Sequence, residues 1–152
     1  MTSIEFKELV KSECIKHGFK KVKNSFYISG EDVLCCVNLQ KSLYGSIYYI
    51  NYYYFIGDFC ESKEYPIYYD SDIYERVCVM SKTQTIKGKH FLTGQVEYEH
   101  YNEDEMRAIL NSEFENKILP PIYNGKKFIL NNLNKLYTLT TNKDEVMSKL
   151  EN

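Results

Sequence analysis

The chain has 152 residues, 43% of them hydrophobic and 26% charged, a length and balance that fit one globular domain with a real core. A net charge of −2 argues against a dedicated nucleic-acid binder, which carries a basic footprint, and no apolar run is long enough to span a bilayer. Fifteen Tyr and no Trp stand out, because tyrosine joins a large ring to a polar tip and suits sheet faces and interfaces.

Thr2 to His17 predicts an amphipathic helix. Thr2 and Glu5 form a capping box, Phe6, Leu9, Val10 and Cys14 make one stripe, and Gly18 suits the residue after the end. His17 reads as a partner of the helix dipole rather than a ligand. Glu5, Glu8 and Glu13 interrupt the basic-then-apolar plan of a signal peptide, so a cytoplasmic protein is expected. Phe19 to Ser29 follows as a strand, with Lys20, Lys21 and Lys23 read as protection of a sheet edge.

Asp32 to Asp58 is rich in β-branched and aromatic residues and predicts a long β-hairpin turning at Leu43-Tyr44-Gly45-Ser46. With Tyr44 and Gly45 as a two-residue loop, Val37 faces Tyr52, Leu39 faces Ile50 and Val33 faces Ile56. That face, with Cys35 and Tyr54, is apolar and should meet the helices. The other pairs Asn38 with Asn51, Gln40 with Tyr49 and Cys36 with Tyr53. Phe59 to Asp72, with Pro66 and Tyr65, Tyr68 and Tyr69, predicts a loop that is functional or packs as a flap on one sheet face.

Ile73 to Met80 predicts a strand, Lys82 to Gly88 a polar turn region, and Lys89 to Tyr101 the last strand of the sheet. Asn102 to Leu119 is the clearest helix. Asn102 caps it, Glu105 sits at N3, its stripe is Met106, Ile109, Leu110, Phe114 and Ile118, and Pro120-Pro121 stops it. A further helix is expected over Asn124 to Leu136, and a short final one, capped by Thr141 or Asn142, carries Val146, Met147 and Leu150. The fold class is therefore α+β: a single domain, residues 1–152, with an antiparallel sheet of about five strands and the terminal helices packed on one face.

Several segments in order resemble a bacterial family of domains of unknown function, the DUF4304 type. They are Gly18-Phe19-Lys20-Lys21, Ser25-Phe26-Tyr27, Val37-Asn38-Leu39-Gln40-Lys41-Ser42, the stretch Tyr69 to Arg76, and Leu119-Pro120-Pro121-Ile122. The lack of Trp departs from members that carry Trp after the Arg strand. The resemblance implies a fold and no activity.

Candidate chemistry is sparse. The seven glycines form no phosphate loop, and there is no H-E-x-x-H. His90 and His100 lie far apart along one predicted strand. The cysteines, Cys14, Cys35, Cys36, Cys60 and Cys78, are odd in number and lack C-x-x-C, so reduced structural thiols are expected. Cys35 and Cys36 should point to opposite sheet faces, which disfavours a joint metal site. No catalytic residue, metal or cofactor is assigned. The candidate binding face is Asn38, Gln40, Tyr49, Asn51 and Tyr53, with Arg76 joining from a neighbouring strand. Amides and a guanidinium on a rigid sheet can hold a carboxylate, a peptide backbone or a protein surface. The competing reading is a buried hydrogen-bond ladder from Asn38 to Asn51 under the Tyr-rich loop.

The expected function is a non-enzymatic protein-binding module of immunity or inhibitor type. Its expected partner is another protein, with Asp70, Asp72 and Glu75 suiting a basic partner surface; nucleic acid and membrane are not expected partners. Two alternatives stand: a small-ligand sensor with a cavity at Tyr52, Tyr54 and Phe114, and an enzyme with an acid/base site around Asp70, Asp72, Arg76 and His90.

Overall fold

The structure is a computed structural model that describes residues 1–59 and 64–152. Helix α1 spans Ser3–Lys16 and starts with the expected capping box: Glu5 N donates to Thr2 Oγ1 at 3.2 Å, and Thr2 N to Glu5 Oε2 at 3.0 Å. At its end Gly18 takes φ +93°, and Phe19 N donates back to Cys14 O at 2.9 Å, which turns the chain towards the sheet.

The predicted strand Phe19–Ser29 is in fact two. β1 (Lys20–Val22) and β2 (Ser25–Ser29) pair antiparallel around a turn in which Lys23 has φ +57°. A reversal inside a run of strand-forming residues leaves little trace in periodicity. The lysines do lie at an edge, since β1 is the outermost strand. β3 (Val33–Lys41) and β4 (Tyr48–Ile56) then pair in the expected register, Val37 opposite Tyr52, Asn38 opposite Asn51 and Gln40 opposite Tyr49. Ser42 N donates to Ile47 O at 3.0 Å and carries that register towards the tip, where Leu43 and Tyr44 stand in solvent.

The predicted strand Ile73–Met80 breaks at Val77-Cys78. β5 (Ile73–Arg76) completes a five-stranded antiparallel sheet in the order β1-β2-β3-β4-β5. β6 (Val79–Ile86) leaves it and pairs with β7 (Lys89–Thr93) in a separate two-stranded ribbon. Lys82–Gly88 is therefore mostly strand, and only Lys87-Gly88, at φ +52° and +76°, makes the turn. Lys89–Tyr101 is not the last strand of the main sheet. It touches that sheet through one bridge, Val96 to Tyr48, with bonds of 2.9 and 3.0 Å, and then forms a 3₁₀ turn at Tyr98–His100. The expected number of strands thus holds, with different members.

Helix α2 (Glu103–Glu113) has the predicted capping box at Asn102 and Glu105. It passes into a π-helical turn, Phe114–Ile118, closed by Leu119 N donating to Phe114 O at 2.8 Å. Pro120 and Pro121 do not simply stop the chain: they open α3 (Pro120–Asn124), as proline suits a first turn. α4 is shorter than the Asn124–Leu136 helix expected, ending at Asn131 after starting at Lys126, with Gly125 at φ +77° before it and Asn134 at φ +65° after it. α5 spans Lys143–Glu151; Asn142 stands at its cap position but in a left-handed conformation, with no side-chain cap bond.

The alternation of β3 and β4 sorts the molecule into layers. Val33, Cys35, Val37, Ile50, Tyr52, Tyr54 and Ile56 face the helices in the main core, with Phe6, Leu9, Met106, Leu110, Phe114, Ile129, Val146 and Leu150. Tyr27, Leu34, Cys36, Tyr53 and Phe55 on the other side form a smaller core, covered by Phe59, Tyr65 and Tyr68. The loop after β4 is therefore a flap, pinned by Tyr27 OH donating to Pro66 O at 3.0 Å and by the Tyr27 and Tyr65 rings, 4.7 Å apart.

Candidate functional site

Register decides what lies beside the flap. Opposed residues share a face, so Asn38, Asn51 and Arg76 fall in one row across β3, β4 and β5. Asn51 is its hub. Its amide Nδ2 donates to Asn38 Oδ1 at 3.4 Å and to Gln40 Oε1 at 3.2 Å. Its Oδ1 accepts from Arg76 Nε and from Tyr74 OH, both at 2.9 Å. Arg76 Nη2 donates to Gln40 Oε1 at 3.4 Å, and the guanidinium lies over the Tyr49 ring, 4.1 Å from its centroid. Tyr53 stacks at 5.1 Å on Tyr74 and tilts at 5.2 Å against Tyr68, and burial pushes its phenol up to about 12.

All six sequence-selected residues are thus brought together, but they are not equally open. Asn51 is 2% exposed, Tyr53 8% and Asn38 9%, so the inner part is the hydrogen-bond ladder weighed as the competing reading. Gln40 is exposed, and Tyr49 and Arg76 are half-buried. Tyr68 and Tyr69, in a 3₁₀ turn at Tyr68–Asp70, divide two clefts of about 520 and 330 Å³. The larger is floored by Asn38, Gln40 and Asn51, the smaller bordered by Tyr74, Asp72 and Thr140.

Two residues of this site were not selected from the sequence. Tyr74 had a signal, since it shares the alternation of Arg76 on β5. Gly94 had none: a methyl group there would lie 2.5 Å from Arg76 Cδ, so the bare backbone is what lets the arginine stem pass.

Of the acid/base site envisaged around Asp70, Asp72, Arg76 and His90, His90 lies apart and Asp72 is engaged elsewhere. Asp72 Oδ2 accepts from Ile56 N at 2.8 Å and its Oδ1 binds Lys149 Nζ at 2.7 Å. His90 sits opposite Thr85 in the ribbon, beside a different cleft of about 580 Å³ bordered by Cys78, Met80, Tyr101, Glu105 and Ile109. The sensor cavity expected at Tyr52, Tyr54 and Phe114 is filled by those side chains, which are at most 1% exposed. His17 is a structural residue: its Nδ1 lies 2.9 Å from Glu13 O, its Nε2 3.2 Å from Asn111 Oδ1, and its ring stacks on Phe114.

Cys14, Cys35, Cys36 and Cys78 are free thiols, with Cys35 in the main core and Cys36 in the smaller one; Cys60 lies outside the described residues. Burial pushes the thiols of Cys14, Cys35 and Cys36 up, away from nucleophilic use. Among the described residues, no group of His, Cys, Asp and Glu is arranged to hold a metal, and no helix is long and apolar enough to cross a membrane.

The sheet, its helical layer and its aromatic flap define a small α+β domain built around an amide-and-tyrosine row. A family model, "Domain of unknown function (DUF4304)", matches residues 10–121, and the chain belongs to that family. The match runs from within α1 through the whole sheet, the ribbon and α2 to the start of α3. No curated protein and no solved structure matches the chain.

Proposed function

We propose that the protein is a non-enzymatic binding module of immunity or inhibitor type, and that another protein docks on the flap side of its sheet. One observation carries the reading. Exposed Tyr69 and Tyr74 and half-buried Tyr49 and Arg76 stand on one side, where the buried Asn51 amide holds Tyr74 and Arg76, the guanidinium lies on Tyr49 and Tyr68 packs on Tyr69. Tyrosine and arginine with locked side chains bind at low entropic cost and are the residue types that dominate interface hot spots. The inner residues Asn38, Asn51 and Tyr53 act in this reading as supports rather than contacts.

A basic partner surface, suggested by Asp70, Asp72 and Glu75, draws less support. Asp72 is taken by Lys149, and Glu75 Oε1 accepts from Thr138 N at 2.7 Å, so of these three acids only Asp70 is exposed. The test is co-expression with the product of the neighbouring gene. A complex should form, Tyr69→Ala should weaken it by about tenfold, and its melting temperature should stay close to that of the parent because Tyr69 is 79% exposed. Tyr53→Ala is the contrasting variant: its buried ring should cost about 3 kcal/mol of stability. No complex, or a complex indifferent to Tyr69→Ala, would refute the reading.

A further inference from the structure

We infer that Arg76 is a preset receptor for a carboxylate, and that the docking protein presents an acidic side chain to it. The inference rests on the reading of the flap side as a protein-binding surface and names the chemistry that surface selects. Arg76 is fixed on every side that touches the fold. Its stem crosses Gly94, where a methyl would collide at 2.5 Å, and its guanidinium is laid on Tyr49 at 4.1 Å. Nε and Nη2 each donate one hydrogen to neutral amide oxygens, at 2.9 Å to Asn51 and 3.4 Å to Gln40.

Those bonds use two of the five N–H groups of a guanidinium. The end formed by Nη1 and Nη2 keeps a parallel pair of donors, the geometry that a carboxylate takes up with both oxygens. Among the described residues Arg76 makes no ion pair, whereas Arg107 holds both Glu13 and Glu103 at 2.8 Å. A half-buried, immobilised cation stacked on an aromatic ring and facing neutral acceptors is complementary to an anion from outside. Gln40 and Tyr49, both accessible beside it, would border the incoming group.

The probe is the capped peptide acetyl-Gly-Glu-Gly-amide, with its Gln counterpart as control, titrated into the full chain while the Arg76 Nε–H resonance is followed by NMR. The Glu peptide should shift that resonance saturably, and the Gln peptide should act about tenfold more weakly. Arg76→Lys keeps the charge and loses the fork, so the neighbouring Tyr49 amide should lose most of its response. Gly94→Ala should do the same by displacing the arginine stem.

Equal shifts with the Glu and Gln peptides, equal shifts with chloride or inorganic phosphate, or an unchanged response in Arg76→Lys would overturn the inference. A free C-terminal carboxylate that outcompetes the internal Glu would overturn the assignment to a side chain. The two readings fail separately. If the neighbouring gene's product binds Arg76→Lys as tightly as the parent, the receptor is wrong and the module stands. If no protein partner binds while the Glu peptide still saturates Arg76, the receptor stands and the module falls.

Discussion

Glu13 shows how one residue can bind two helices together. It lies on the buried side of α1, 1% exposed, and its Oε1 accepts from Arg107 Nη1 of α2 at 2.8 Å. The other oxygen is buried without a hydrogen-bond partner, with Lys16 and His17 both 3.9 Å away. A carboxylate so placed depends on its arginine, because a buried charge that loses its partner keeps the full cost of leaving water. Arg107→Ala should therefore lower unfolding free energy by about 2–3 kcal/mol, reduced somewhat by the exposure of the arginine itself. Chemical denaturation checks this. A loss under ~0.5 kcal/mol would mean that the Glu13 carboxylate does not depend on this arginine.

At the scale of elements, the π-helical turn after α2 is held by tyrosines from elsewhere. A carbonyl inside a helix accepts from the N–H four residues on, and for Lys117 that position is Pro121, which has none. Lys117 O instead accepts from Tyr137 OH at 2.5 Å and Tyr54 OH at 3.1 Å, and Ile118 O from Tyr54 OH at 2.7 Å. Pro121 thus creates a need that Tyr137 and the sheet's Tyr54 meet together, and the Tyr54 bonds tie the turn after α2 to β4. Tyr54→Phe should leave the ring packing intact and cost about 1–2 kcal/mol, measured by thermal or urea unfolding. A neutral result would show that water or Tyr137 alone satisfies both carbonyls.

Across the whole molecule, stability should depend on two carboxylates below the sheet. Burial raises Glu75 and Glu113 above the usual carboxylate value, with Lys117 opposing the shift at both and the Thr138 amide opposing it at Glu75. A carboxylate whose folded value lies above its unfolded one makes the folded state bind more protons. That contribution is fullest below the unfolded value and is lost as pH rises through the folded one. Glu113→Gln should therefore melt higher than the parent at about pH 7.5, and the difference should close near about pH 4.5. A constant offset at both pH values would assign the effect to packing rather than charge.

Local order was legible in the chain wherever one residue type has one physical use. The capping boxes at Thr2 and Asn102, the helical stripes and the strict alternation of Val33–Lys41 against Tyr48–Ile56 were enough to predict α1, α2 and the central register. That register alone placed Asn38, Gln40, Tyr49, Asn51 and Tyr53 on one face, because a strand's period of two leaves no other choice once the apolar side is buried. Tertiary structure decided the rest. It split Phe19–Ser29 at Lys23 and Ile73–Met80 at Val77, sent β6 and β7 into their own ribbon, and ended α4 at Asn131. It buried Asn38 and Asn51 while leaving Arg76 half open, and it set Gly94 against the arginine stem. Alternation records which way a side chain points and says nothing of which distant strand, flap or glycine arrives to cover it; those contacts are between residues remote in sequence, and only packing of the folded chain selects among them.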